Sequence, residues 1–175
     1  MTKQALARPA RWQDSGWRLM WVPLLVIVLD QITKQWILAT LSLYERINVL
    51  PFFDIVYARN YGAAFSFLSD AGGWQRWFFT VLAVAISSLL AFWMRRQARS
   101  EWRLNWSFGL VIGGAIGNVI DRLQHGFVVD FLDFYVRIGD SVHHWPAFNV
   151  ADSAIVIGAG LMILDSFSKP SAERQ

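Results

Sequence analysis

Leu19-Met-Trp-Val-Pro-Leu-Leu-Val-Ile-Val-Leu-Asp-Gln-Ile-Thr-Lys-Gln-Trp-Ile-Leu38 is an apolar run broken only by a few polar residues near its far end. A helix needs about 20 apolar residues to cross the hydrocarbon core of a bilayer, and this stretch has that length. Asp30 and Lys34 stand four residues apart, so on a helix they share one face and neutralise each other. Such a pair reads first as structural, a salt bridge that also anchors whatever follows the span. Three further runs of comparable length lie at Trp77–Met94, Leu104–Ile120 and Val150–Phe167. Hydrophobic residues make up 55% of the 175, charged residues 17%, and the mean hydropathy is +0.34. A soluble bundle of this size cannot hide so much apolar surface from water. The expected architecture is a mainly α membrane protein, one integral domain over residues 1–175 with four transmembrane helices.

Charge and aromatic placement orient the spans. Ten of the sixteen Lys and Arg residues lie in the N-terminal tail, in the Arg95, Arg96, Arg99, Arg103 link and in the C-terminal tail. The positive-inside rule then places both termini in the cytoplasm. The N-terminal Lys3, Arg8, Arg11, Arg18 cluster resembles a signal-peptide flank, but the run behind it is longer than a signal core and reads as an uncleaved anchor. Tryptophans mark both span ends: Trp12, Trp17, Trp21, Trp93, Trp102 and Trp106 inside, Trp36, Trp74, Trp77 and Trp145 outside. Two segments, 39–76 and 121–149, are therefore exported, and function is expected there. Within the first, Arg46 to Arg59 shows partial apolar alternation broken by Pro51, the pattern of a small sheet. Gly62 to Leu68 reads as a short amphipathic helix or a loop on the membrane.

Several chemistries are absent from the sequence. With no cysteine there is neither a disulfide framework nor a thiolate nucleophile. The pI near 9.6 does not indicate nucleic acid, because the basic residues cluster beside apolar runs instead of along one polar face. No G-x-S-x-G elbow or G-x-x-x-x-G-K-[ST] phosphate loop occurs. His125, His143 and His144 raise a metal question, but they form no HExxH pattern, and adjacent residues on a regular element point apart. Carboxylates remain, and no metal or cofactor is called for.

Gly113-Gly-Ala-Ile-Gly-Asn-Val-Ile-Asp-Arg122 closes the third run. Its glycines permit close helix approach, and Asn118 can hydrogen-bond across the contact. Asp121 and Arg122 at its end have three open readings: orienting a catalytic group, binding a substrate carbonyl, or ending the helix in water. Asp130, in Phe127-Val-Val-Asp-Phe131, has two open readings: a carboxyl among apolar neighbours that disfavour its charged form, or a side chain that points to water from an interfacial strand. Asp152 follows Asn149 by three positions at the start of the fourth run, a capping-box pattern in which the helix dipole favours a carboxylate. One carboxyl pushed towards neutral beside one held ionised is the pairing that acid-base hydrolysis uses.

Five motifs in order resemble the lipoprotein signal peptidases, the signal peptidase II family of bacteria: Asp30-Gln-Ile-Thr-Lys34, Asn60-Tyr-Gly-Ala-Ala-Phe65, Gly113 to Arg122, Val128-Val-Asp-Phe131 and Phe148-Asn-Val-Ala-Asp152. The resemblance implies an inner-membrane aspartic endopeptidase that removes the signal peptide from a diacylglyceryl-modified prolipoprotein, cutting just before the lipidated cysteine. It implies Asp130 and Asp152 as the catalytic pair, and Asn60, Gly62, Asn118, Asp121, Arg122 and Asn149 as lining or supporting residues. It further implies that the exported sheet cradles the substrate against membrane lipid, with no nucleic acid and no obligate protein partner. Surroundings divide the labour, with Asp130 the expected proton donor and Asp152 the expected base. The rival is a small transporter or ion-conducting protein with a polar path through Asp30, Lys34 and Asp121. The outer-edge clustering of Asp121, Asp130 and Asp152 argues against it, since transport sites favour the midplane. The loop Phe134 to Trp145 belongs to no motif.

Overall fold

A computed structural model describes residues 12–62 and 72–168. The Lys3, Arg8 and Arg11 cluster, the C-terminal tail beyond Ser168 and nearly all of the Gly62 to Leu68 segment lie outside the described residues.

Two short 3-10 turns, Trp12–Asp14 and Gly16–Leu19, lead into helix α1, Trp21–Thr40. Pro23 falls in the first turn of α1, where no intrahelical donor is lost. Strands β1, Arg46–Leu50, and β2, Phe53–Asn60, follow as a hairpin whose turn is Pro51-Phe52. Pro51 thus divides two strands. Next come α2, Trp74–Arg96, and α3, Trp102–Gln124. Gly126, at φ 86°, supplies the left-handed residue that turns the chain from α3 into β3, Val128–Ile138. Strand β4, Ser141–His144, and helix α4, Val150–Ser168, complete the chain.

Helix α3 packs against α1, α2 and α4, and its glycines are the reason it can. A Cβ on Gly113 would fall 2.6 Å from Val26 Cβ and 2.9 Å from the Pro23 carbonyl of α1. A Cβ on Gly117 would fall 2.7 Å from Asp30 Oδ2, and one on Gly114 would strike the Ala151 carbonyl of α4. Any side chain there would prise the helices apart. Phe108 and Ile112 of α3 close the opposite end against Leu90 and Met94 of α2.

Three segments are long and apolar enough to cross a membrane: Gly16–Thr40, Trp74–Arg96 and Val150–Ser168. Four apolar spans were expected from sequence. Helix α3 is 23 residues long but carries Gly113, Gly114, Gly117, Asn118, Asp121 and Arg122 on buried positions, so its composition answers to its helical neighbours rather than to lipid.

The strands form one antiparallel sheet in the order β1-β2-β3-β4. The unplaced loop Phe134 to Trp145 supplies its outer half: β3 runs on to Ile138, turns at Gly139-Asp140 and returns as β4. The inner half of β3 is buried on both faces. Val129 and Phe131 pack with Tyr57 of β2 onto Ile37 and Leu41 at the end of α1. Truncating the fully buried Ile37 to Ala would cost about 2–5 kcal/mol, so this cluster locks the sheet to the helices.

Candidate active site

Backbone pairing brings the two aspartates together. The segment before α4 runs alongside β3: Phe131 N and Leu132 N both donate to the Phe148 carbonyl (3.0 and 2.8 Å), and Phe148 N donates to Leu132 O (3.1 Å). This sets Asn149 beside Asp130. Asn149 then caps α4, with Asp152 N donating to Asn149 Oδ1 (2.9 Å) and Asn149 N to Asp152 Oδ2 (3.3 Å). That reciprocal box is the arrangement expected of Asn149 and Asp152. Asn149 Nδ2 meanwhile donates to Asp130 Oδ1 (2.7 Å), so one asparagine joins both carboxyl groups.

Three asparagines share a single logic. In each, a group that can only donate holds the amide oxygen, so the NH2 must face a carboxylate. Gly62 N donates to Asn60 Oδ1 (3.0 Å) while Asn60 Nδ2 donates to Asp130 Oδ2 (3.0 Å). Lys34 Nζ donates to Asn118 Oδ1 (2.9 Å) while Asn118 Nδ2 donates to Asp152 Oδ1 (2.8 Å). In Asn149 the oxygen is held by Asp152 N. The aspartates are thus aimed by amides that are themselves aimed.

Beneath them lies an ionic base. Lys34 Nζ is 2.8 Å from Asp30 Oδ2 and 3.0 Å from Asp121 Oδ2, with all three side chains no more than 2% exposed. Asp121 Oδ2 also accepts from Val129 N (2.9 Å), tying α3 to β3, and Asp30 Oδ1 accepts from Ala151 N (2.9 Å), tying α1 to the start of α4. Gln31, which no motif reading singled out as functional, donates to Asp121 Oδ1 (2.9 Å). Its place in the first motif, beside Asp30, was the available signal. Arg122 Nη2 donates to Gly62 O (2.9 Å) and lies over the Phe79 ring. Asp30 and Lys34 are therefore the floor of the same network, and Asn60, Gly62, Asn118, Asp121, Arg122, Asp130, Asn149 and Asp152 all belong to it.

Burial pushes the Asp130 carboxyl up to about 8, well above the ordinary 3.8; the Asp152 charge adds to this, while the Asn60 and Asn149 bonds oppose it. The direction agrees with the sequence reading, but the source of burial differs. On a strand, alternate residues face opposite ways, so Val129 and Phe131 turn towards α1 while Asp130 faces the asparagines. Its sequence neighbours are not its surroundings.

The histidines lie elsewhere. His144 Nδ1 meets both oxygens of Asp133 at 3.0 Å, His143 lies on β4 opposite Val136, and His125 stacks on Phe127. Among the described residues no group of three or more His, Cys, Asp or Glu side chains is placed to hold a metal ion.

Comparison with known proteins points to one family. The profile of signal peptidase (SPase) II matches residues 22–168. The lipoprotein signal peptidase of Shewanella loihica is 62% identical over 168 residues, covering 94% of this chain and 96% of that protein. That of Shewanella piezotolerans is 62% identical over 159 residues, 91% of each. Two solved bacterial membrane enzymes, at 2.3 and 1.9 Å resolution, superpose with TM-scores of 0.75 and 0.71 at 32% identity. They cover 86% and 85% of this chain, and 88% and 92% of their own. With a buried, asparagine-aimed pair of carboxyl groups at the head of apolar helices and these relatives, the chain belongs to the signal peptidase II family of lipoprotein signal peptidases.

Proposed function

We propose that this protein is a membrane-embedded aspartic endopeptidase that removes signal peptides from diacylglyceryl-modified prolipoproteins, cutting just before the lipidated cysteine, with Asp130 and Asp152 as its catalytic pair. The observation that carries this reading is Asn149, whose amide group and backbone N–H bind the two carboxyl groups at once. Four carboxylates, Asp30, Asp121, Asp130 and Asp152, share two cations, Lys34 and Arg122, so full ionisation leaves negative charge uncompensated and one carboxyl keeps its proton. In the proposed reaction ionised Asp152 takes a proton from a water molecule, which attacks the scissile carbonyl carbon. Protonated Asp130 gives its proton to the carbonyl oxygen. As the tetrahedral adduct collapses, Asp130 takes back a hydroxyl proton, the C–N bond breaks and the proton held by Asp152 passes to the leaving amine, which returns the pair to its starting state. The pair titrates jointly, so these roles describe the dominant microstate.

Placement in the bacterial inner membrane follows the same reading. All four long helices cross it, α3 shielded by its neighbours, with both termini cytoplasmic and the aspartates at the outer face. The substrate's lipid chains stay in the bilayer and its peptide meets the sheet. A transport path through Asp30, Lys34 and Asp121 is disfavoured, since each of these groups is paired and closed off from solvent.

The test is purified protein reconstituted in lipid and given a diacylglyceryl-modified prolipoprotein, next to Asp130→Asn and Asp152→Asn variants of matched thermal stability. Cleavage before the modified cysteine by the parent, with loss of about 10²–10⁴-fold in each variant, is the expected result. Normal cutting by either variant would end the dyad assignment. Equal cutting of substrate without the lipid would end the substrate assignment.

A further inference from the structure

At the other end of the helices from the aspartates, a cavity of about 270 Å³ is lined by the 3-10 turn Gly16–Leu19, the start of α1, the α2–α3 link and the start of α3. Trp102 at its rim lies about 28 Å along α3 from Asp121 at the helical rise of 1.5 Å per residue. We propose that this cavity binds the phosphate of an anionic phospholipid headgroup.

Arg18 and Arg99 enter the cavity from two different segments, and neither guanidinium has an ion-pair partner among the described residues. Arg95, Arg96 and Arg103 stand on the adjoining helix ends, against only Asp14 and Glu101 of opposite sign in the same segments. The field there is positive. A guanidinium presents paired N–H donors that match phosphate oxygens, and two of them on one cavity make a geometry-specific anion site. Trp21, Trp102 and Trp106 supply the remaining walls, with Trp21 edge-on to Trp106 at 5.4 Å. Such rings belong at the level of lipid headgroups, so the site meets the bilayer where phosphates are. Basic pockets between membrane helices on the cytoplasmic side are the recognised form of anionic-lipid recognition.

The walls are already in place. Gly16 N donates to Gln97 O (3.0 Å), Arg99 N to Asp14 O (2.8 Å), and Asn105 Nδ2 to Ala98 O (3.0 Å). These bonds hold the 3-10 turn against the α2–α3 link, so binding needs no rearrangement of the backbone. Asn105, fully buried at the floor, is held by its bond to Ala98 O with its Oδ1 against Gly16, so the anion is met by the guanidinium groups and not by this amide. The cavity is smaller than a drug-sized ligand pocket and suits a headgroup whose acyl chains lie outside along the helices.

The proposal depends on the membrane location and not on the aspartate chemistry, so the two can fail separately. The full-length protein is stripped of lipid in detergent and titrated with dioleoylphosphatidylglycerol, dioleoylphosphatidylcholine or inorganic phosphate, bound lipid being counted by native mass spectrometry. Phosphatidylglycerol is expected to bind most tightly, and Arg18→Gln/Arg99→Gln is expected to weaken it about 30-fold, two cations each acting on an anionic lipid surface. Arg18→Lys/Arg99→Lys, which keeps charge and loses the fork, should fall between the two. Asp130→Asn should bind the lipid like the parent. Equal affinity for phosphatidylcholine, equal affinity for inorganic phosphate, or unchanged binding by the glutamine variant would each overturn the site.

Discussion

The cluster around Asp130 and Asp152 and the cluster around Arg46, Asp54, Asp133 and His144 use similar residue types and share strand β3, yet they differ in where their cations sit. In the first, Lys34 is 1% exposed and lies between Asp30 and Asp121. In the second, Arg46 pairs with Asp133 and lies 3.7 Å from Asp54, but its side chain is 46% exposed. His144, on the same Asp133, is 40% exposed. This outer cluster borders an open groove of about 570 Å³ lined from all four strands, with Asn48 donating to both Asp54 Oδ1 (2.8 Å) and Tyr135 OH (3.0 Å). Water screens an exposed cation and can replace it, so the outer cluster clips strands together at modest gain. A buried cation has no such substitute, and removing it strands its carboxylates. The same dry surroundings that raise this cost also make the dyad's charges felt strongly by one another.

The difference can be broken experimentally. The largest effect should come from the dyad: Asp152→Asn is expected to lower kcat by about 10²–10⁴-fold, whereas Arg46→Gln should leave it within about threefold, as steady-state cleavage would show. A comparable loss from Arg46→Gln would mean that the two clusters act as one. Next is stability. Lys34→Met should cost about 3–5 kcal/mol by stranding Asp30 and Asp121, against about 1 kcal/mol or less for Arg46→Met, compared by thermal unfolding in one detergent. Similar melting shifts for the two variants would contradict the burial argument.

Asn118→Leu sharpens the contrast further, since it removes the amide that Lys34 aims at Asp152. Losing a hydrogen bond to a charged group is worth about 1.5–3 kcal/mol, read as a kcat decrease of about 10–150-fold with KM little changed. The counterpart Asn48→Leu in the outer cluster should alter melting but not kcat. The smallest effect is the pH response. The dyad's alkaline limb should lie near the Asp130 value of about 8, with activity falling tenfold per unit above it as the donor proton is lost. Stability follows the same sign. The folded value is raised above an unfolded one of about 3.9, so the stability it contributes is whole at low pH and is lost as pH rises through about 8. A profile flat beyond pH 9.5 would remove Asp130 as the proton donor.

Much of this was legible before any coordinates, and for identifiable reasons. Helical runs such as Val150–Phe167 declare themselves because hydrocarbon tolerates little else. The Asn149 and Asp152 box is local, spanning one helical turn, and so could be read from spacing alone. The outer half of the sheet was not legible. Val136, Arg137, His143 and His144 alternate too weakly to mark a strand, and β4 exists because it pairs with β3. Helix α3 showed in the sequence as an apolar run, but not that it packs against three other helices, where glycine and asparagine fit better than leucine.

What the sequence determined by itself was therefore the local part: apolar helices of membrane length, the cap that starts α4, and a set of carboxylates and asparagines with family-like spacing. Tertiary structure decided which of them meet. Lys34 reaches Asn118 across 84 positions and Asn60 reaches Asp130 across 70, distances in sequence that no periodicity encodes. Close packing at Gly113, Gly114 and Gly117 brings α1 and α4 onto α3, and the Phe148 bridge lays the start of α4 beside β3. Only then do asparagines from β2, α3 and the α4 cap converge on two aspartates, because orienting a buried carboxylate takes donors from several directions at once.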